Sequence, residues 1–342
     1  MPMMLAVRLA ASPDLRADVT RLVTELARGA IELHRLIQNG GGEGGEAATG
    51  VGNSGGDLQK ALDLAADRIF VEAARRAGVG FYGSEEQDDA VEMTPGGALA
   101  LAIDPLDGSS NIETNVSIGT IFSILPAEGE HANGATVFRQ AGSRQLGAGY
   151  FIYGPQLLLV ASLGHGTQVY AYRPASDAFE ETVAQLAIPQ TAKEYAINAS
   201  NARHWDGPVR RYVADCLAGK SGPRRRDFNM RWVASAVADA YRIFLRGGIY
   251  LYPGDTRKGY ESGRIRLVYE ASPIAFLAEQ AGGAASDGLR PILDIVPDGL
   301  HQRTPVVFGS REEVLTFGRY AADPEAIHPA YPSLTDRPAD AF

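Results

Sequence analysis

An apolar run, Ala98-Leu99-Ala100-Leu101-Ala102-Ile103, leads straight into Asp104-Pro105-Leu106-Asp107-Gly108-Ser109-Ser110-Asn111. Such a run, with no polar alternation, has the composition of a strand buried on both faces, which requires a sheet covered by other layers. The run delivers Asp104 at its end, and Pro105 keeps Asp104 extended and out of a helix. A turn after Asp104 would let Asp104 and Asp107 converge on one point. Two close carboxylates repel unless a cation lies between them. Hard oxygen ligands of this kind suit Mg²⁺ or Mn²⁺. The Gly-Ser-Ser-Asn stretch reads as the opening of a helix, whose backbone N–H groups and hydroxyls form a phosphate cradle. Metal carboxylates beside a phosphate cradle point to phosphoryl chemistry.

A second acidic pair, Glu85-Glu86, also follows a short strand, expected near Val79–Tyr82. Both acidic stretches can reach the carboxyl edge of one sheet, where sites gather. Helical spacing of apolar residues predicts helices over Pro13–Ile37 and Asp57–Gly78, with Ser12 and Pro13 as start signals. The glycine-rich stretch from Asn39 to Gly56 reads as a linker or as a flap over a site. Short apolar runs from Ile112 to Tyr172 suggest a sheet meander, and Gln190–Ala199 opens a second domain. Further helices are expected over Val233–Leu245 and Pro273–Gln280, and strands over Ile249–Tyr252, Ile265–Tyr269 and Val306–Phe308. Pro324–Phe342 reads as a frayed end. Alternating helices and sheets give an α/β (α+β) class with layered architecture. The expected domains are residues 1–188 and 189–330, followed by a tail at 331–342.

Composition narrows the function. The 342 residues carry a formal net charge of -9, which argues against nucleic acid or an anionic membrane as the main partner. The apolar start, Met1–Ala10, is short and interrupted by Arg8, and no stretch approaches the roughly 20 apolar residues that span a bilayer. A cytoplasmic protein is expected. The single cysteine, Cys216, excludes an internal disulfide and reads as a packed apolar group. The histidines show no close ligand spacing, so zinc is not expected, and His301 reads as structural. The basic run Lys220–Arg226 reads as a solvated loop or an interface salt-bridge cluster. Trp205 and Trp232 read as core or interface.

The Asp104–Asn111 octet, Val116-Ser117-Ile118-Gly119-Thr120-Ile121-Phe122, Gly247-Gly248-Ile249-Tyr250-Leu251-Tyr252-Pro253, Arg266-Leu267-Val268-Tyr269-Glu270 and Ala278-Glu279-Gln280-Ala281-Gly282-Gly283 occur in order along the chain. Together with the stretch from Ile295 through His301-Gln302-Arg303, they resemble class 1 fructose-1,6-bisphosphatases, within the Mg²⁺-dependent, lithium-sensitive sugar and inositol phosphatases. The likeness runs from about Leu15 to Arg319. It implies a layered αβαβα fold with two mixed-sheet domains, and hydrolysis of the 1-phosphate of fructose 1,6-bisphosphate in gluconeogenesis or the Calvin cycle. It implies two or three Mg²⁺ ions, with Mn²⁺ as the other candidate, held by Glu85, Asp104, Asp107, Glu270 and the carbonyl of Leu106. Glu86 would serve the base, helped by Asp57 and Asp63, which by themselves read as solvated helix residues. Asp107, Gly108, Ser109 and Ser110 would hold the 1-phosphate. Asn198, Arg231, Tyr252, Arg264 and Arg266 would hold the distal phosphate, with Arg231 crossing into a neighbour's site in a homotetramer or at least a dimer.

The chain departs from the family pattern at three positions: Arg264 replaces a Lys, Asn201 a Tyr, and Trp232 a Tyr. Asp255–Gly263 resembles Calvin-cycle proteobacterial members. Ala98 and Leu99 stand where AMP-inhibited members carry a Lys-Tyr pair, so AMP inhibition is expected to be weak or absent. The lone cysteine excludes thiol regulation of the chloroplast kind. The same machinery fits sedoheptulose 1,7-bisphosphate, alone or in addition. A catalytically dead relative is disfavoured because every acid is present. An inositol-monophosphatase role is disfavoured by the paired Arg264 and Arg266.

Overall fold

The structure, a computed structural model, describes residues 13–39 and 55–322. The expected flap, apart from its ends, the first residues and the expected tail lie outside the described residues, as does the side chain of Asp57. Two helices open the chain, α1 (Pro13–Gln38) and α2 (Gly55–Ala77). Eight strands follow: β1 (Phe81–Ser84), β2 (Val91–Glu92), β3 (Leu99–Asp107), β4 (Ile118–Pro126), β5 (Gly147–Tyr153), β6 (Leu157–Ser162), β7 (Thr167–Arg173) and β8 (Ala178–Leu186). They form one sheet in the order β2-β1-β3-β4-β5-β6-β7-β8, and from β3 to β8 it is the antiparallel meander expected from the broken apolar runs.

The second half contributes β9 (Glu194–Ala196), α3 (Gly207–Leu217), β10 (Asn229–Met230), α4 (Ala236–Arg246), β11 (Ile249–Tyr252), β12 (Ile265–Arg266), α5 (Ser272–Gln280), β13 (Ala284–Ser286), β14 (Arg303–Thr304), β15 (Val306–Gly309) and α6 (Arg311–Ala322). A second sheet has the order β10-β9-β11-β15-β13, and β12 pairs with β14 alone.

Residue alternation on the strands sets the layering. Leu99, Leu101 and Ile103 of β3 join Leu22 and Leu26 of α1 and Phe70 of α2 in one core. The other face of that sheet, through Ile121, Tyr150 and Val160, packs on Val237 of α4 and Leu277 of α5, which also cover Tyr250 and Phe308 of the second sheet. On the second sheet's far face, Ile249, Leu251 and Val307 meet Val213 of α3 and Phe317 of α6. The layers therefore run α-β-α-β-α, as expected. Each fully buried Leu or Phe in these cores contributes about 1.5–3 kcal/mol.

Two strand expectations are corrected. The first strand begins at Phe81, because the Gly78 turn (φ 75°) delays pairing until Gly80 donates to the Leu99 carbonyl. The expected strand Ile265–Tyr269 ends at Arg266. Leu267–Ala271 forms a single π-helical turn leading directly into α5. Such turns recur at functional sites because they re-aim side chains.

The basic run is not merely solvated. Arg224 pairs with the buried Glu313 of α6 and lies over the rings of Tyr212 and Phe228. Arg226 reaches the same carboxylate at 3.7 Å, while Lys220 makes an exposed pair with Asp227. Cys216 is buried against these groups, and burial pushes its thiol up to about 12, so it packs as an apolar group. Trp205 is buried in the core between the second sheet, α3 and α6, and Trp232 stacks on Tyr250.

Candidate active site

The parallel pairing of β1 with β3 creates the site. Their register sets Ser84 against Ile103, so Glu85 and Asp104 stand side by side where β1 ends, and the Glu85 N–H donates to the Ile103 carbonyl. The two acidic stretches thus share one carboxyl edge, as expected.

The route by which Asp104 and Asp107 converge differs from the expected turn. β3 continues through both residues, and its pairing slips: Asp104 lies opposite Ile121, but Asp107 lies opposite Gly119. Three steps on β3 match two on β4, which is a β-bulge. In a regular strand, residues three apart face opposite sides; the extra residue returns both carboxylates to one point. Pro105, with no N–H, suits this irregularity. Its carbonyl accepts from the Thr120 hydroxyl at 2.8 Å, and that hydroxyl also bonds the Tyr153 hydroxyl at 2.8 Å.

Gly119 admits the start of α4. A Cβ there would lie 2.5 Å from both Val237 and the Phe151 carbonyl oxygen. This close approach lets the Val237 N–H donate to Asp107 Oδ2 at 3.2 Å. The Leu106 N–H donates to Asp104 Oδ1 at 3.0 Å. The π-helical turn brings in Glu270, whose Oε2 accepts from the Arg266 N–H at 2.6 Å. Ligand oxygens of Asp104, Asp107 and Glu270 lie within 4.8 Å of one another, all buried.

These charges are poorly compensated. Burial, then Glu85 and the neighbouring acids, holds the Asp104 and Glu270 carboxyls well above the usual range. Burial raises Asp107 to about 6 despite the Val237 N–H. At the cluster's edge, burial raises Glu86, with Asp63, Glu85 and Asp67 adding repulsion. Asp63 is raised by burial although it bonds the Ser109 side chain. Among the described residues the cation paired with this cluster is Arg266, whose Nη2 lies 3.8 Å from Glu85. Two unit charges 4.8 Å apart repel by about 3 kcal/mol at an effective dielectric of about 20. An all-oxygen, anionic, buried donor set with so little internal compensation fits a hard divalent cation.

Beyond Asp107, Gly108 (φ 75°) turns the chain into a single 3₁₀ turn, Ser109–Asn111, with Ser110 exposed. The Asn111 amide donates to the Ala234 carbonyl at 2.8 Å, tying this turn to the entry of α4. Ala234 itself has φ 67°, and its N–H and that of Val233 are held by Asp239. Left-handed backbone penalises a Cβ. Ala234→Gly is therefore expected to raise unfolding free energy by about 1 kcal/mol. Urea denaturation checks this, and a lower midpoint at unchanged slope would contradict it.

A separate recess is lined by Asn198, Asn201, Trp205, Tyr252, Asp255 and Arg264. The Arg264 guanidinium lies 3.9 Å from the centre of the Tyr260 ring, and its buried Nε has no hydrogen-bond partner among the described residues. Arg257, not singled out from the sequence, is clamped by Asp255 and donates to Asn201 Oδ1 at 3.2 Å. Arg266 does not line this recess; it faces the acid cluster. Arg231 does not line it either. It stands exposed just after β10 and donates to the Met230 carbonyl. Asp67 was also missed. It is buried one turn beyond Asp63 on α2, and accepts from the Tyr82 hydroxyl at 2.8 Å and the Gln87 amide at 3.0 Å. The helical spacing Asp63–Asp67 was the available signal.

Residues 7–183 match the family described as "Fructose-1-6-bisphosphatase, N-terminal domain", and residues 188–322 match "Fructose-1-6-bisphosphatase, C-terminal domain". The chain is 52% identical over 325 residues to "Fructose-1,6-bisphosphatase class 1" of Rhizobium meliloti (strain 1021), covering 94% of this chain and 93% of that protein. It is likewise 52% identical over 314 residues to the Paracoccus denitrificans (strain Pd 1222) protein of that name, covering 92% of each. The crystal structure of Leishmania major fructose-1,6-bisphosphatase in holo form superposes with a TM-score of 0.82 at 31% identity, covering 91% of this chain and 96% of that one. The chain therefore belongs to the class 1 fructose-1,6-bisphosphatase family.

Proposed function

We propose that this chain hydrolyses the 1-phosphate of fructose 1,6-bisphosphate, releasing fructose 6-phosphate and inorganic phosphate. The observation that carries the reading is the buried triad Asp104, Asp107 and Glu270 at the sheet edge, in a chain about half identical to fructose-1,6-bisphosphatases. Asp104, Asp107, Glu270, Glu85 and the Leu106 carbonyl would hold Mg²⁺, or Mn²⁺, as two or three ions. When bound, such ions withdraw charge from phosphoryl oxygens and ease the ionisation of water. Gly108, Ser109 and Ser110 follow Asp107 directly, so a phosphate seated on them lies against the acids. Glu86 takes the proton of the attacking water on a carboxylate oxygen. Burial and the neighbouring acids raise its pKa, which strengthens it as a base. Asp63, bonded to Ser109, couples the base to the cradle, and Asp57 assists from the start of the same helix.

The distal phosphate binds in the recess of Asn198, Tyr252 and Arg264, where the unpartnered Arg264 Nε is an available donor. Arg266 bridges toward the acids. Arg231, turned out of its own subunit, serves a neighbour's recess in a homotetramer. The chain divides into two domains near residue 188, where one sheet ends and the next begins. Among the described residues no helix is long and apolar enough to cross a membrane; a cytoplasmic enzyme of gluconeogenesis or the Calvin cycle fits this reading. Leu99 is buried in the core, which leaves no polar group there for AMP.

Phosphate release from fructose 1,6-bisphosphate and sedoheptulose 1,7-bisphosphate, with Mg²⁺, EDTA or AMP, tests the whole reading. Metal-dependent release from the fructose ester, with weak or no inhibition by AMP, is expected. Full activity in EDTA would overturn it, and a larger kcat/KM on the seven-carbon sugar would reassign the substrate.

A further inference from the structure

The loop carrying Glu85 and Glu86 is held from a distance of more than two hundred residues by His301. His301 Nε2 lies 2.8 Å from the Gln87 carbonyl oxygen, and Nδ1 lies 2.9 Å from the Tyr269 hydroxyl. That hydroxyl accepts from Arg266 Nε at 3.1 Å. A guanidinium only donates and a carbonyl only accepts. Nε2 also lies 3.2 Å from the Asp88 carbonyl oxygen, so with two carbonyls facing it Nε2 carries a hydrogen, and the Tyr269 hydroxyl joins Arg266 to Nδ1.

An ion-pair contact brings the path back to the acidic loop. Arg266 Nη2 lies 3.8 Å from Glu85, only two positions before Gln87. The Gln87 amide is anchored on its other side to Asp67 of α2. Tyr269 is fully buried and packs edge-on to His301, so the path has little freedom to rearrange.

We propose that His301, acting through Tyr269, is a positioning residue for the phosphatase reaction. It sets the spacing between the Arg266 guanidinium and the Glu85–Glu86 loop. This rests on the phosphatase reading. Supporting groups of this kind cost about 10–100-fold when removed, and a misplaced reacting group affects turnover more than binding.

The test compares wild type with Tyr269→Phe, His301→Ala, the double variant and His301→Gln, whose carboxamide restores one donor and one acceptor. Tyr269→Phe and His301→Ala are each expected to lower kcat about tenfold with KM within about twofold. The double variant should lose no more than the worse single variant, and His301→Gln should recover part of the loss. Nitrogen-15 NMR of the imidazoles should show a hydrogen on Nε2 of His301 in wild type. Melting curves confirm that each variant is folded at the assay temperature. Unchanged kcat in Tyr269→Phe, additive losses in the double variant, or an Nε2 without its hydrogen would overturn the proposal with the phosphatase reading intact. An inactive wild type that carries the hydrogen on Nε2 would instead overturn the phosphatase reading, and the positioning role with it.

Discussion

Asp107→Asn is expected to lower kcat/KM for the bisphosphate by about a thousandfold or more while making the metal-free protein more stable. The two effects have one cause. Asn occupies the same volume, and its carbonyl oxygen can still accept from the Val237 N–H, so the bulge and the start of α4 keep their tie. What disappears is one negative charge from a cluster in which Asp104, Asp107 and Glu270 lie within 4.8 Å. In the active protein that charge helps hold the cation. In the metal-free protein it is a burden, since burial raises Asp107 from 3.8 to about 6. A difference of about two pKa units at a buried group corresponds to about 3 kcal/mol at pH 7.5, the upper limit of the relief. Melting curves in EDTA should move up by a few degrees, on the order of 3–5 °C. Activity above a hundredth of wild type, or a lower melting point in EDTA, would contradict the assignment of Asp107 to both the charge cluster and the metal site.

Much of this site was readable from the sequence where its cause is local. The apolar run ending in Asp-Pro-Leu-Asp announces a buried strand delivering acids to an edge, and the shared edge expected for both acidic stretches is met by the parallel pairing of β1 with β3. The means of convergence was not readable: nothing in the octet distinguishes a turn from a bulge against Gly119. Arg264 and Arg266 are grouped at the distal phosphate by the family resemblance, while their alternating positions alone read as surface. β12 spans only Ile265–Arg266, so alternation does not govern Arg264, which stacks on Tyr260 while Arg266 turns to Glu85. Asp63 looked solvated because its helix alone gives it no partner; Ser109 reaches it only after α2 packs on the sheet. Arg224 looked like one member of an exposed basic run for the same reason, since Glu313 lies 89 positions away. Layering was legible because it depends on residue periodicity. Individual contacts were not, because they depend on which layers meet.

The stabilising effect of Mg²⁺ is expected to grow as pH rises, and this tests the site without any assay of turnover. Burial and mutual repulsion raise Asp104 and Glu270 well above the usual carboxylate range and Asp107 to about 6. Their carboxyls in the unfolded chain ionise near pH 4. Between about pH 4 and 6 for Asp107, with Asp104 and Glu270 shifted in the same direction, the folded metal-free protein therefore binds more protons than the unfolded chain. Stability must then fall with rising pH across that window. This is the reverse of a salt-bridged carboxylate, whose contribution is lost as pH falls. A cation removes the penalty by competing with those protons, so its apparent affinity rises as they leave. At a hundred times the dissociation constant, a ligand that binds only the folded state adds about 2.7 kcal/mol. The melting temperature in EDTA should thus drop between pH 5.5 and 7.5, and Mg²⁺ should restore several degrees at pH 7.5 but little at pH 5.5. Asp239 of α4, also raised to about 6 by burial, contributes a slope of the same sign away from the cluster. Asp107→Asn separates the two: it should flatten the EDTA slope in part and remove most of the Mg²⁺ response. An equal Mg²⁺ shift at both pH values, or an unchanged response in Asp107→Asn, would show that these buried acids do not hold the cation.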